Sequence, residues 1–299
     1  MNVIKRFLDY VEISTKIASH FPFFITLAYC YFLKHTIDVK GTVLFFIAML
    51  LFDLSVTMIN NYIDRNESGK TGYFSRPVML AMIIIAVVPS ASIGLYLSWI
   101  YGLEFFLAGL FCFAVGVGYT FGPAPISRSP YGELVSGLTQ GFALPYLVTA
   151  INAPGLVVIT LSGWNAAVLL DIRGLVMFAL ASAPMVLCIS NIMLANNISD
   201  IEADKNGRYT MPRHIGRENA LHLFTALYMA LYAALIAACA LRAIPWLCLL
   251  VLATAVPVFR NVRRFREKQV KSETFVLSVW NLVIILAPYL ATMFGGAFL

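Results

Sequence analysis

The sequence predicts an all-α polytopic membrane protein, with about nine transmembrane helices folded as one domain over residues 1–299. Three observations carry that expectation. Apolar residues make up 60% of the chain and charged residues 12%, against about 45–50% and about 25% in soluble domains. The charges are gathered between apolar runs of about 20 residues, enough to cross a ~30 Å hydrocarbon layer at ~1.5 Å per residue. The basic residues fall mostly on alternate connections, as in a chain oriented by the membrane. This balance excludes a soluble, disordered or nucleic-acid-binding protein, and the net charge of +6 suits loops that face anionic lipid.

In chain order, residues 1–18 come first. There Phe7, Leu8, Val11 and Ile13 alternate with Lys5, Arg6, Asp9, Glu12 and Lys16, the pattern of a short helix lying in the membrane interface. Polar residues interrupt its apolar part, so it does not read as a cleaved signal peptide. Spans are expected near 19–37, 42–61, 77–98, 102–121, 133–153, 171–195, 219–241, 243–260 and 274–294. The seventh and eighth are almost contiguous and predict a tight hairpin. Pro89, Pro145, Pro184 and Pro257 are candidate kinks or tolerated bends. Gly116 with Gly118, and Gly137 with Gly141, allow close helix contact. Residues 152–170 read as an external loop or a partly re-entrant segment. Cys30, Cys112, Cys188, Cys239 and Cys248 lie in apolar runs without paired spacing. They read as small hydrophobes rather than a disulfide or metal framework.

With the amino terminus cytoplasmic, seventeen of the 21 Lys and Arg fall on inner segments, and Lys34, Lys40, Arg173 and Arg242 fall outside. That asymmetry predicts the amino terminus inside and the carboxyl terminus outside, and it supports an odd number of spans.

Two polar clusters then meet the same inner face. Asn60-Asn61-Tyr62-Ile63-Asp64-Arg65-Asn66-Glu67-Ser68 ends the second span, and Asn196-Asn197-Ile198-Ser199-Asp200-Ile201-Glu202-Ala203-Asp204 follows the sixth. Asn60 and Asp64, like Asn196, Asp200 and Asp204, recur every four residues and so share one helix face. Two facing stripes of hard oxygens suit Mg²⁺ bridged to a diphosphate, since bare carboxylates would repel that anion. Asp64, Asp200 and Asp204 are the candidate charged ligands or their anchors, while Asn60 and Asn196 offer neutral oxygens. The bland alternative is a pair of solvated helix ends.

The basic residues nearby divide by position. Lys205 and Arg208 immediately follow the second stripe and are candidates for the diphosphate. The run from Arg260 to Lys271 lies beside another junction and reads as topological. Between the fourth and fifth spans, Gly and Pro shape a loop over residues 119–133. In it Tyr119 or Tyr131 can orient an aromatic acceptor, and Arg128 can meet its carboxylate or the diphosphate. Asp53 falls inside the second span, where a carboxylate needs a partner or a polar cavity.

The paired segments resemble those of the UbiA superfamily of intramembrane aromatic prenyltransferases, over nearly the full chain. Asn60 and Asp64 fit its N-D-x-x-D-x-x-x-D motif, with Asn61 and Ser68 standing at two acidic positions; Asp200 and Asp204 fit its D-x-x-x-D motif. Tyr119-Thr120-Phe121-Gly122-Pro123-Ala124-Pro125, Gly132-Glu133 and Asn196-Asn197-Ile198-Ser199-Asp200 look like the 1,4-dihydroxy-2-naphthoate branch. Ala124 replaces a frequent basic residue there, and Ser199 replaces an Arg.

The resemblance implies a UbiA-like helical bundle in the cell membrane that uses Mg²⁺. Its donor would be a polyprenyl diphosphate, and its acceptor 1,4-dihydroxy-2-naphthoate. Prenyl transfer with loss of carbon dioxide would give a demethylmenaquinone precursor. Asn60, Asp64, Asn196, Asp200 and Asp204 would hold metal and diphosphate, with Lys205, Arg208 and Arg128 on the diphosphate. Tyr119, Asn61, Asn197 and Asp53 are the remaining candidates, for the acceptor or for support of the metal ligands. A different aromatic acceptor is the alternative within the family. A transporter or a nonenzymatic lipid-binding protein is the alternative outside it. Membrane lipids are expected partners; no nucleic acid and no obligatory protein partner is implied.

Overall fold

The computed structural model describes residues 3–68, 74–202 and 208–299, with the side chains at 14, 15 and 64–68 outside that description. Fourteen elements follow in order. They are α1 (Val3–Tyr10), α2 (Ile17–Lys34), α3 (Val39–Ser68), α4 (Arg76–Tyr101), α5 (Leu103–Thr120), α6 (Gly132–Leu138) and α7 (Leu144–Asn152). A hairpin of β1 (Val157–Ser162) and β2 (Asn165–Leu170) leads to α8 (Ile172–Ser199) and the short α9 (Met211–Ile215). The chain closes with α10 (Arg217–Ala240), α11 (Ala255–Glu267) and α12 (Phe275–Gly296). It is an all-α multi-pass membrane bundle.

Every predicted span is helical. Among the described residues, eight helices are long and apolar enough to cross a membrane. The remaining expected span coincides with α2, which has 18 residues but is not among those eight; His20 and Lys34 dilute its apolar character, and it packs against α12 and α7. Apolar side chains such as Ile85, Leu95 and Trp99 of α4 point outward, which suits lipid and would be costly in water.

Local chemistry explains the breaks. Gly102 takes φ 96° between α4 and α5, a left-handed conformation that glycine adopts without a Cβ penalty. The fifth span is α6, a wider π turn over Thr139–Ala143, and α7. Pro145 has no amide to give to the turn before it, and the helix widens there. A Cβ on Gly141 would lie 2.5 Å from the backbone nitrogen of Val186 in α8. Only a glycine lets these two backbones touch. A Cβ on Gly116 would meet the side-chain ring of Phe52 at 2.6 Å, whereas Gly118 faces open space. Pro89 and Pro184 sit inside continuous helices.

Residues 152–170, expected as an external loop or a partly re-entrant segment, form a hairpin: β1 and β2 pair antiparallel, Val157 opposite Leu170 and Ser162 opposite Asn165. Gly163 supplies the positive φ of the turn. The eighth span is displaced from 243–260 to Trp246–Glu267. It starts as a 3₁₀ helix after Pro245 and continues through the basic run, because Val258, Val262 and Phe265 are buried along one side.

The core has a large cluster joining α8, α10, α11 and α12 and a second among α2, α3, α5 and α7. A third packs α1 against α3 and α4. The amino-terminal segment is docked rather than loose. Tyr10 Oη donates to Met58 O at 3.1 Å, and Asn61 Nδ2 donates to Tyr10 O at 2.8 Å. All five thiols are free, four of them buried and Cys112 half-buried.

Candidate active site

The site is built from helix ends. Asn60 sits near the end of α3, where its Oδ1 accepts a hydrogen bond from Thr120 Oγ1 at 3.2 Å, at the end of α5. The neighbouring Tyr119 hydroxyl faces the Ser136 side chain of α6, with the Glu133 and Arg208 charges close by. Glu133, only 6% exposed, accepts from Asn197 Nδ2 of α8 at 2.8 Å through Oε1. Asn196 Nδ2 in turn reaches Asn197 Oδ1 at 3.4 Å. This chain of contacts ties the first cluster, the 119–133 loop and the second cluster to one end of the bundle.

Arg128 and Arg208 are brought together by the backbone. Tyr209 N donates to Arg128 O at 2.9 Å, and Arg213 Nη1 donates to Arg208 O at 2.6 Å. Both cationic residues therefore flank the same end.

Asp200 closes α8, its amide bonded to Asn196 O at 3.1 Å. Its carboxylate Oδ2 pairs with the ammonium of Lys271 from the connection before α12. Lys271 therefore does more than set topology, contrary to the sequence expectation. Arg266 also has a structural job, donating to Thr225 Oγ1 at 2.9 Å.

Asp53 is paired within the bundle. Lys16 Nζ donates to its Oδ1 and to its backbone oxygen, both at 2.9 Å, and also contacts Thr57 Oγ1. Ser19 Oγ donates to Asp53 Oδ2 at 2.6 Å. Asp53 lies two turns before Asn60, about 10 Å along α3, so it is placed to brace that helix rather than to hold a metal. Asn61 likewise serves as a tether for α1.

The donor set suits a hard divalent cation. Asn60, Asn196 and Asp200 present oxygen atoms, and the ammonium on Asp200 marks where positive charge is favoured. Among the described residues no three His, Cys, Asp or Glu side chains gather as a metal cluster. Asp204 and Lys205, and the side chain of Asp64, lie outside the described residues. Thr120, Glu133, Lys16 and Lys271 are participants that sequence reasoning did not assign. The demand of Asp53 for a cation was the signal for Lys16, and the Gly132-Glu133 motif was the signal for Glu133.

The chain belongs to the UbiA prenyltransferase family, whose model matches residues 21–285. It is therefore a membrane enzyme of a class that transfers prenyl groups. It is 28% identical over 256 residues to a 1,4-dihydroxy-2-naphthoate octaprenyltransferase of Bacillus subtilis (strain 168), covering 80% of this chain and 76% of that one. Its fold is similar to a UbiA homolog from Archaeoglobus fulgidus bound to GPP and Mg²⁺. The TM-score there is 0.67 at 14% identity, covering 98% of this chain and 100% of that chain. A UbiA homolog from Aeropyrum pernix K1 is similar too, with TM-score 0.67 at 17% identity over 92% of this chain and 98% of that one.

Proposed function

We propose that the protein transfers a polyprenyl group from a polyprenyl diphosphate to 1,4-dihydroxy-2-naphthoate, with decarboxylation, yielding a demethylmenaquinone precursor. The observation that supports the reading is a pair of hydrogen bonds, Thr120 to Asn60 and Asn197 to Glu133, which join each polar cluster to the segment around residues 119–133. The naphthoate acceptor is supported by the Bacillus subtilis relative. The cytoplasmic orientation of the site is supported by the charge asymmetry of the loops.

In this reading Asn60, Asp64, Asn196, Asp200 and Asp204 hold Mg²⁺ and the diphosphate, while Arg128, Lys205 and Arg208 neutralise remaining charge. Bound Mg²⁺ supplies charge stabilisation for the departing diphosphate. The allylic carbon–oxygen bond breaks, and the diphosphate leaves with the electron pair. The aromatic acceptor, oriented by Tyr119, attacks the allylic carbon. Loss of carbon dioxide then returns electrons to the ring and restores aromaticity. The apolar wall of the bundle takes the prenyl tail, and exclusion of water protects the electrophile.

Ser199 favours a second reading within the family. It stands where the naphthoate branch carries Arg, and its Oγ turns back to Ala195 O at 2.9 Å, so the residue at that position brings no charge of its own. A different aromatic acceptor would fit that change. Mass spectrometry of products from purified protein, offered a matrix of donors and aromatic acceptors, tests both. The proposal expects a prenylated, decarboxylated naphthalenediol with equal pyrophosphate release. Prenylation of another acceptor in its place would overturn the naphthoate assignment.

A further inference from the structure

Lys271 sits on a built turn. Val270 O accepts from Thr274 N at 2.8 Å and from Glu273 N at 3.0 Å, and Val270 N donates to Thr274 Oγ1 at 3.0 Å. Upstream, Gln269 Nε2 caps α11 by donating to Phe265 O at 2.8 Å and Arg266 O at 2.7 Å. The backbone that carries Lys271 is therefore fixed at both ends, while its stem remains free to move. The neighbouring acids have cations of their own: Glu273 pairs with Lys268 at 2.6 Å, Glu202 with Arg217 at 3.3 Å and Glu267 with Arg263 at 3.1 Å. Lys271 is directed instead to Asp200, 71 residues away in the chain.

The two partners differ in exposure. The Lys271 side chain is 53% exposed and that of Asp200 17%. An ion pair with one half-exposed member is weak and exchangeable. Lysine's flexible stem and compact charge also let it move between a carboxylate and a phosphate oxygen.

We propose that Lys271 is a movable ligand of the donor site. Before the donor binds, it neutralises and orients Asp200; when the donor arrives, it releases Asp200 to the metal and transfers its ammonium to the diphosphate. This rests on the metal–diphosphate reading above. It assigns Lys271 opposite effects on the two ligands, which a purely structural lysine would not have.

Lys271→Met and Lys271→Arg, purified in detergent, test it without turnover. Mn²⁺ binding is followed by the EPR signal of the free ion, and geranylgeranyl diphosphate binding is measured with Mn²⁺ saturating and no acceptor present. Lys271→Met is expected to bind Mn²⁺ alone about two- to fivefold more tightly, as expected from loss of a weak competing pair. It should bind the diphosphate about tenfold more weakly, the loss of one charge-assisted contact. Lys271→Arg should restore most donor affinity. Weakening of both ligands together, or no change in either, overturns the proposal while wild-type binding leaves the metal–diphosphate reading standing. Wild-type protein that takes up neither Mn²⁺ nor geranylgeranyl diphosphate overturns both.

Discussion

Replacing Gly141 with alanine drives a methyl group into the backbone of α8. The new carbon would lie 2.5 Å from Val186 N, 2.6 Å from Val186 Cα and 2.9 Å from the Met185 carbonyl carbon. Favourable carbon contacts begin near ~3.5 Å, so the two segments must separate by about 1 Å. All three neighbours are backbone atoms, which cannot rotate aside as a side chain would. The cost should therefore lie in the upper part of the overpacking range, about 2–3 kcal/mol. The consequence extends beyond stability, because α8 also carries Asn196, Asn197 and Asp200. A shift near 1 Å at that helix is enough to lower turnover on the order of 100-fold. Thermal unfolding in detergent and prenyl transfer in proteoliposomes at matched abundance measure the two effects, with Gly118→Ala as the control because that position faces open space. Wild-type melting and turnover in Gly141→Ala would refute the close-packing argument.

The Lys16–Asp53 pair predicts a pattern between variants. Lys16→Met leaves the largely buried Asp53 carboxylate without its cation, a loss of about 3–5 kcal/mol, whereas Lys16→Met with Asp53→Leu should recover most of the melting temperature. A double variant as unstable as the single one would show that the pair is not the cause. At the site, Glu133→Ala leaves the buried Asn197 amide without its acceptor and should cost about 1–3 kcal/mol, with transfer falling more than about tenfold. Glu133→Gln keeps an acceptor oxygen and should lose less; equal transfer by Glu133→Ala and wild type would remove Glu133 from the site.

How far the sequence reaches is clear from particular elements. The spans that became α4, α8, α10 and α12 are long apolar runs, so composition and length were sufficient to find them. The eighth span was misplaced because Pro245 delays its start and Arg260–Glu267 looks like a loop. In three dimensions that charged stretch is amphipathic, with Val262 and Phe265 inside and Arg263 and Arg264 outside. The 152–170 hairpin was missed because a short apolar run has no periodicity that separates strand from re-entrant coil. Within the site, Asn60, Asn196 and Asp200 could be read from four-residue spacing on one helix. Their partners could not. Thr120 reaches Asn60 across 60 residues, Glu133 reaches Asn197, the neighbour of Asn196, across 64, and Lys271 reaches Asp200 across 71, and such pairings leave no local pattern in a single sequence.

The proposed reaction depends on metal-assisted departure of diphosphate beside Asp200. Proteoliposomes holding wild-type protein or Asp200→Asn at equal abundance, supplied with polyprenyl diphosphate, 1,4-dihydroxy-2-naphthoate and varied Mg²⁺, measure it through pyrophosphate and prenylated product. Wild type should release both in equal amounts and only with Mg²⁺, and Asp200→Asn should stay folded in the membrane yet lose at least about 100-fold in rate. Turnover unchanged by the substitution, or independent of divalent metal, would contradict the assignment.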